Sequence, residues 1–146
     1  MNSMYVRRTP MTLAFTIVAL VAGCGDAPTE HEDEVEVHEV VISEAGTPVV
    51  TIEHEVVTGS LAVAAGDETP DYDIAFLDHD GNAITTGFAA DATVQNTAVA
   101  IFHSTADYQG HFEGVSAGST TVTVSLVHAA DGDSHHDSPA IALVVN

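Results

Sequence analysis

Histidines and carboxylates are the side chains of this sequence best suited to chemistry. The chain has nine histidines and 22 aspartates and glutamates, against two lysines and arginines in total. Three stretches combine both residue types, at residues 78–80, 103–111 and 128–137. Imidazole and carboxylate groups are ligands of Zn²⁺, Ni²⁺ and Cu²⁺ in proteins. The composition therefore predicts a divalent transition-metal site, with zinc favoured, if the fold brings these stretches together.

The elements that must position these residues are β-strands. From residue 37 onward, short runs rich in Val, Ile, Thr and Phe alternate with clusters of Gly, Asp, Asn and Ser. This pattern is typical of an all-β sandwich or barrel. We predict an immunoglobulin-like antiparallel β-sandwich domain over 37–146, with an extra N-terminal hairpin over 37–57 that turns at Ala45-Gly46. The predicted strands are 37–43, 48–57, 60–65, 72–78, 83–87, 92–95, 98–103, 111–115, 120–128 and 139–145.

Strand direction predicts where the polar stretches meet. In a seven-strand antiparallel sandwich, alternate strands run the same way, so their ends and the loops that follow lie at one pole. Side chains alternate between the two faces of a strand, and three inward apolar rows are expected to end in a polar residue at this pole. Those three residues are Asp78, His103 and His128. We predict that they share a metal centre, which His135 or His136 closes from a loop. The six histidines expected at this pole are His79, His103, His111, His128, His135 and His136.

Two alternatives to this transition-metal site remain open. Asp131, Asp133 and Asp137 would instead form an oxygen-rich loop suited to Ca²⁺. Histidines at strand ends also occur as polar caps on a core without any ion. For His38 and His54, as for His31 before them, nothing in the sequence fixes a ligand geometry, and we expect no defined site there.

Four segments carry a family resemblance, and the most specific reads Gly-Val-Ser-Ala-Gly-Ser-Thr-Thr-Val at residues 114–122. The others lie at 59–63, 74–82 and 96–100. Together they resemble a bacterial immunoglobulin-like domain of the second group, a module of bacterial surface proteins. The resemblance implies a sandwich fold and a surface location, but no activity. The sequence departs from the family pattern because it lacks the core tryptophan and carries many histidines.

The N-terminus predicts export and lipid anchoring. A charged start is followed by a short apolar run at 11–22 and a small-residue site, as in a secretory signal peptide. Residues 21–24, Val-Ala-Gly-Cys, resemble the lipobox of bacterial lipoproteins, which implies cleavage after residue 23 and lipid on Cys24. The acidic stretch 24–36 then reads as a flexible tether. We expect a signal peptide over 1–23 and attachment to a membrane through the lipid, in the outer membrane rather than the inner.

Two partner and activity classes are excluded by composition and motifs. No Lys or Arg follows Arg8, so nucleic acid is not expected as a partner, because its binding depends on such cations. The sequence also lacks enzyme signatures. His-Glu pairs at 38–39 and 54–55 begin a His-Glu-x-x-His pattern, but Ile42 and Thr58 stand where the second histidine is required.

The sequence thus predicts a lipid-anchored envelope protein that binds a divalent metal through histidine and aspartate at one pole. Such a protein would buffer the ion or hand it to a metal transporter or receptor. The competing prediction is a structural or adhesive immunoglobulin-like surface module without metal. A third is a pH sensor, since clustered imidazoles change charge near neutrality.

Overall fold

A computed structural model of the protein describes residues 35–146, and every regular element in this range is a β-strand. No helix among these residues is long and apolar enough to cross a membrane. The predicted signal peptide, Cys24, His31 and most of the predicted tether lie outside the described residues. The strands are β1 (Glu39–Glu44), β2 (Thr47–Glu53), β3 (Val56–Gly59), β4 (Leu61–Val63), β5 (Tyr72–Leu77), β6 (Phe88–Val94), β7 (Ala100–Ala106), β8 (Gln109–Gly114), β9 (Gly118–His128), β10 (Ser134–Asp137) and β11 (Ile141–Val145).

Two sheets form the sandwich. The first has six strands in the order β3-β2-β1-β5-β8-β7, all antiparallel. In the second, the long strand β9 pairs with β6 along one edge and with β10 and β11 along the other. Strand β11 also pairs with β4, in parallel. The predicted fold class, an all-β antiparallel sandwich, is confirmed.

The core follows from strand alternation. Buried and more exposed residues alternate along β5, β9 and β11, and the inward rows of the two sheets belong to one cluster of apolar side chains. Its fully buried members include Phe76 and Phe112 from the first sheet and Val124 and Leu126 from the second. Burial of each such side chain contributes about 1.5–3 kcal/mol relative to exposure. The sandwich is therefore held together mainly by this layer.

The N-terminal strands form a meander of three strands, and the predicted arm over 48–57 is wrong. The first turn lies at Ala45-Gly46, as predicted, but β2 ends at Glu53. His54 and Glu55 then form a second two-residue turn, with φ values of 50° and 65°. Turns with two left-handed residues match the twist of paired strands. The chain therefore reverses again at His54-Glu55 and adds β3 to the sheet.

A β-bulge at Val49 sets the register between β1 and β2. The first turn pairs Glu44 with Thr47, and an unbroken ladder would bring Val40 opposite Thr51. Val40 instead pairs with Ile52, because the register shifts by one residue on β2. Val40 and Ile52 are both buried. With the turn alone, each even-numbered residue of β1 would pair with an odd-numbered residue of β2, and the buried residues of the two strands would lie on opposite faces. The extra residue shifts the pairing by one, so that both buried rows lie on the same face.

Gly59 makes room for this bulge from the neighbouring strand. Its φ is +97°, in the region that favours glycine, and a Cβ there would lie 2.1 Å from the carbonyl oxygen of Val49. The close backbone approach is therefore possible only without a side chain at position 59.

Two further strand predictions differ from the structure. Residues 83–87 are not a strand: Ala83 makes only an isolated bridge to Leu77, and Gly87 has a φ of +82° just before β6 begins. Strand β10, by contrast, was not predicted. Its sequence is Ser-His-His-Asp and has no apolar alternation, so it is defined only by its pairing with β9.

Candidate metal centre

Asp78, the first predicted ligand, is occupied within its own loop. Its Oδ1 accepts hydrogen bonds from the backbone N–H of Asp80 at 2.9 Å and of Asn82 at 2.8 Å. The Asn82 side-chain amide also donates to Oδ2, at 3.2 Å. These hydrogen bonds, those from Asn82 foremost, lower the pKa of the exposed Asp78 carboxyl. Asp78 therefore acts as a cap of the 78–82 loop.

His103 faces outward, and the prediction that it lies on an inward row is wrong. The inward row of β7 contains Ala100 and Phe102, and Phe102 packs on Phe112 with ring centroids 5.2 Å apart. His103 stands on the opposite face, directly across from His111 of β8. The larger aromatic side chain thus takes the core position, and His103 is turned away from the predicted centre.

Register also separates His103 from Asp78 along the sheet. Its partner His111 contacts Asp71, with 3.2 Å between Nδ1 and Oδ1. Asp78 lies seven residues further along the chain, beyond the end of β5. At about 3.3 Å per residue this is about 23 Å. Asp78 and His103 therefore do not share a centre.

His128 and His135 do come together. His128 is the last residue of β9, and its ring centroid lies 5.3 Å from that of His135 on β10. Both rings pack against Phe88, at 4.8 and 4.9 Å. The Nε2–H of His135 donates to the carbonyl oxygen of Val35 at 2.6 Å. This hydrogen bond joins β10 to the segment that precedes β1.

His136, the remaining predicted ligand, lines a cavity at the same end of the sandwich. The cavity has a volume of about 170 Å³ and lies between the start of β1, the end of β2 and β10. His38 and His54 line it as well, together with Glu36 and Glu55. The cavity thus contains two histidines to which the sequence assigned no defined site.

His38 and His54 form the tightest ligand group among the described residues. Their rings meet edge to face with centroids 4.6 Å apart. Glu53 completes the group: one ligand atom from each of the three side chains lies within 4.8 Å of the other two. The His54 Nδ1 and the Glu53 Oε1 are 3.7 Å apart. The expectation that nothing fixes the geometry of His38 and His54 is therefore wrong.

The bulge explains why these two histidines meet. Glu39 pairs with Glu53, so the next positions outward are His38 and His54. Without the extra residue Val49, His38 would lie opposite Glu53 instead. The sequence feature that could have indicated this contact is the repeated His-Glu-Val-Val at 38–41 and 54–57. It predicts the contact only once the register between β1 and β2 is known.

The rings of His38 and His54 make no hydrogen bond to the described residues, unlike those of several other histidines. In residues 35–146, the histidines whose side chains make hydrogen bonds are His79, His103, His111 and His135. In its neutral form each of these two rings presents one lone pair to a ligand.

Six histidines lie in a continuous arrangement at this end of the sandwich, which we call the histidine pole. His38 also approaches His79, with 5.9 Å between ring centroids. A second cavity, of about 690 Å³, adjoins the first and is lined by His135 and His136. The members of the histidine pole are His38, His54, His79, His128, His135 and His136. Of the six histidines predicted at this end, His79, His128, His135 and His136 belong to the histidine pole, whereas His103 and His111 do not.

Comparison with known proteins returns structural similarity alone. The structure is similar to the S-layer protein SbsC domains 4 and 5, with a TM-score of 0.49, 18% identity, and coverage of 73% of this chain and 53% of that one. For SbsC domains 5–6 the TM-score is 0.49 and the identity 20%, over 61% of this chain and 40% of that one. The chain thus matches about half or less of each. No family model matches the sequence, and no curated protein matches it.

Proposed function

We propose that this chain is a lipid-anchored envelope module, without enzymatic activity, that binds one divalent transition-metal ion, zinc in the first place, at its histidine pole. The observation that carries the proposal is the group of His38, Glu53 and His54, whose ligand atoms lie within 4.8 Å of one another. Of the ligands expected from sequence at this end, His136 lines the cavity beside that group, and His128 and His135 lie outside the group.

The spacing of the group suits a metal better than a direct contact. Zinc binds nitrogen and oxygen ligands at about 2.0–2.2 Å in tetrahedral geometry, which places the ligand atoms about 3.4 Å apart. The 3.7 Å between His54 Nδ1 and Glu53 Oε1 is too long for a hydrogen bond but close to this value. Small rotations of the three side chains would complete three bonds, and His136, which lines the same cavity as His38 and His54, is our candidate for a fourth ligand.

Charge favours a cation at the same place. Glu36, Glu39 and Glu55 line the cavity beside the histidines, and no Lys or Arg is present after Arg8 to compensate them. Uncompensated carboxylates repel one another and raise the local concentration of cations. A bound divalent ion would relieve this repulsion.

The turn between β2 and β3 fixes the position of His54. His54 and Glu55 both have positive φ values, as this kind of two-residue hairpin turn requires. The turn therefore holds the ligand His54 at its tip, beside the cavity.

Calorimetric titration of the full-length chain with ZnCl₂ tests the proposal. We expect the double variant His38→Gln/His54→Gln to lose one equivalent of bound zinc. The matched control is His79→Gln, which removes a pole histidine outside the ligand group; its side chain is 86% exposed and its ring centroid lies 5.9 Å from that of His38. The proposal is wrong if the double variant and the control bind zinc equally.

A structural or adhesive surface module without metal is the second candidate. It is favoured by the completeness of the core, in which 22 buried apolar residues form one cluster with no contribution from the pole histidines. Thermal unfolding with and without a chelator discriminates between the two. A zinc-binding module gains about 2.7 kcal/mol at a hundredfold excess of ion over the dissociation constant, whereas a purely structural one melts at the same temperature in both conditions.

The anchor and the family are further parts of the proposal. The apolar run at 11–22 and the Val-Ala-Gly-Cys stretch support lipid on Cys24 and an outer-membrane location. The segment 114–122 supports a bacterial immunoglobulin-like module of the second group. Mass spectrometry of the membrane fraction tests the anchor: Cys24→Ser is expected to remove the lipid mass and release the chain. A metal transporter or receptor would be the partner that receives the ion.

A further inference from the structure

A second group of histidines lies outside the pole, on the solvent face of the first sheet. His103 of β7 and His111 of β8 are directly opposite each other in the ladder, with ring centroids 5.3 Å apart and planes 31° from parallel. We call these two residues the outer-face pair. Three carboxylates surround them, from Glu68, Asp71 and Glu113.

Hydrogen bonds to carboxylates fix one nitrogen of each ring. The Nδ1–H of His111 donates to Asp71 Oδ1 at 3.2 Å, and Asp71 Oδ1 also accepts from the hydroxyl of Thr105 at 3.3 Å. The Nε2–H of His103 donates to Glu113 Oε2 at 3.0 Å. A ring that donates from one nitrogen presents the lone pair of the other. The free nitrogens are therefore Nε2 of His111 and Nδ1 of His103.

This arrangement is the one that metal-binding histidines use. Such histidines almost always donate their second ring N–H to a carboxylate, a carbonyl or water, which orients the ring and raises its basicity. Glu68 supplies a further ligand atom: its Oε1 lies 3.9 Å from the free Nε2 of His111. That distance exceeds a hydrogen bond and leaves room for an ion between the two atoms.

Burial distinguishes this group from ordinary surface ion pairs. The side chain of His111 is only 20% exposed, so its ring is held in place, whereas that of Glu68 is 63% exposed and free to move toward an ion. One fixed ligand beside one mobile ligand is a workable combination for capture of a cation from solution.

We propose a second zinc site at the outer-face pair, with His111 Nε2 and Glu68 as its protein ligands and Asp71 as the residue that positions His111. The site is independent of the histidine pole, because it lies on a different face and shares no residue with the pole. It would allow one chain to carry two ions.

The test is ZnCl₂ titration of the full-length chain in the His38→Gln/His54→Gln background, which removes the proposed pole site. We expect one equivalent of zinc to remain and to be lost in His111→Gln and, with less perturbation of the sheet, in Glu68→Gln. Asp71→Ala is expected to weaken binding about 10–100-fold, and Asp71→Asn, which keeps an acceptor, to restore most of it. Asp73→Ala is the matched control, since Asp73 accepts a hydrogen bond from Gln109 and contacts neither histidine.

Side-chain ¹⁵N NMR gives a readout that a structural role would not affect. Zinc is expected to shift Nε2 of His111 and to leave its Nδ1 protonated. The inference is overturned if these signals do not respond, or if His111→Gln and Glu68→Gln both bind zinc as their parent does. If only the pole substitutions abolish zinc binding, the proposed function is supported and the second site is refuted. If only the outer-face substitutions abolish it, the second site is supported and the proposed site at the pole is refuted.

Discussion

The histidine pole and the outer-face pair use the same residue types in different ways. At the pole, His38 and His54 lie at the ends of two strands, beside a cavity, and their rings make no hydrogen bond within residues 35–146. On the outer face, His103 and His111 lie within the β7–β8 ladder, and each donates to a carboxylate. On the outer face, the histidine rings are oriented by neighbouring side chains, whereas at the pole they are positioned by the backbone. Changes to the backbone should therefore affect the pole far more than the outer-face pair.

The largest expected effect is that of Gly59→Ala, which should damage the pole through the bulge. The new Cβ would collide with the Val49 carbonyl, in a backbone conformation that already disfavours alanine. We expect a loss of about 3 kcal/mol in the free energy of unfolding, measured by urea denaturation, together with weaker zinc binding at the pole. Gly46→Ala is the control, since its φ is also positive but no atom lies within 4 Å of the new Cβ. Equal losses in the two variants would show that the bulge is unimportant.

A smaller and opposite effect is expected for Glu55→Gly. The left-handed conformation costs a residue other than glycine roughly 1–2 kcal/mol. Glycine avoids this cost, but it loses more conformational entropy on folding, which offsets part of the stabilisation. We expect the metal-free protein to gain about 1 kcal/mol and to keep zinc binding through His38, Glu53 and His54. Ala45→Gly, in the first turn, should stabilise by a similar amount. If Glu55→Gly lowers the melting temperature, the turn is not strained.

The smallest effect concerns acid stability at the pole. Asp137 Oδ1 accepts hydrogen bonds from the hydroxyls of Ser125 at 2.6 Å and Ser134 at 2.7 Å, which lower the pKa of this carboxyl. Because the pKa is lower in the folded state, the stabilisation is present above the ordinary value of about 3.9 and is lost as pH falls through the folded value.

The melting temperature of the wild type should therefore decline more steeply below about pH 4 than that of Ser125→Ala/Ser134→Ala. Asp137 is largely exposed, so solvent screening keeps the difference small. Parallel curves for the two proteins would show that these hydroxyls do not hold the charged carboxyl. Ser104→Ala, whose hydroxyl donates to a carbonyl instead, serves as the control.

Most of the fold could be predicted because apolar alternation is strong in β5, β9 and β11. The same rule failed on β7 and the residue before it, where both rows are apolar: Val99 and Ile101 on one side, and Ala100 and Phe102 on the other. Packing between Phe102 and Phe112 decides between them, and no local pattern carries that information. His103 was therefore assigned to the wrong face.

The sequence predicted one of the contacts between pole histidines but not the ligand group of the candidate site. His128 and His135 meet as strand direction required, whereas His38 and His54 meet because of a register shift. The hydrophobic pattern predicts one register for the pairing of β1 with β2, and the two-residue turn predicts another. These two registers differ by one residue. A bulge is one way to resolve such a conflict, and its presence becomes certain only in three dimensions.

The bulge has a consequence for how this region tolerates insertions and deletions during evolution. Sixteen positions separate His38 from His54, and the two rings face each other because that interval is even. Deletion of one residue between them would move one of the two rings to the other face of the sheet. An insertion of one residue elsewhere in the hairpin would restore the pairing. A first turn that is longer by one residue, without the bulge, would therefore pair the two histidines as well as the present two-residue turn and bulge do. Homologues should accordingly conserve the parity of this interval more strictly than the identity of Val49.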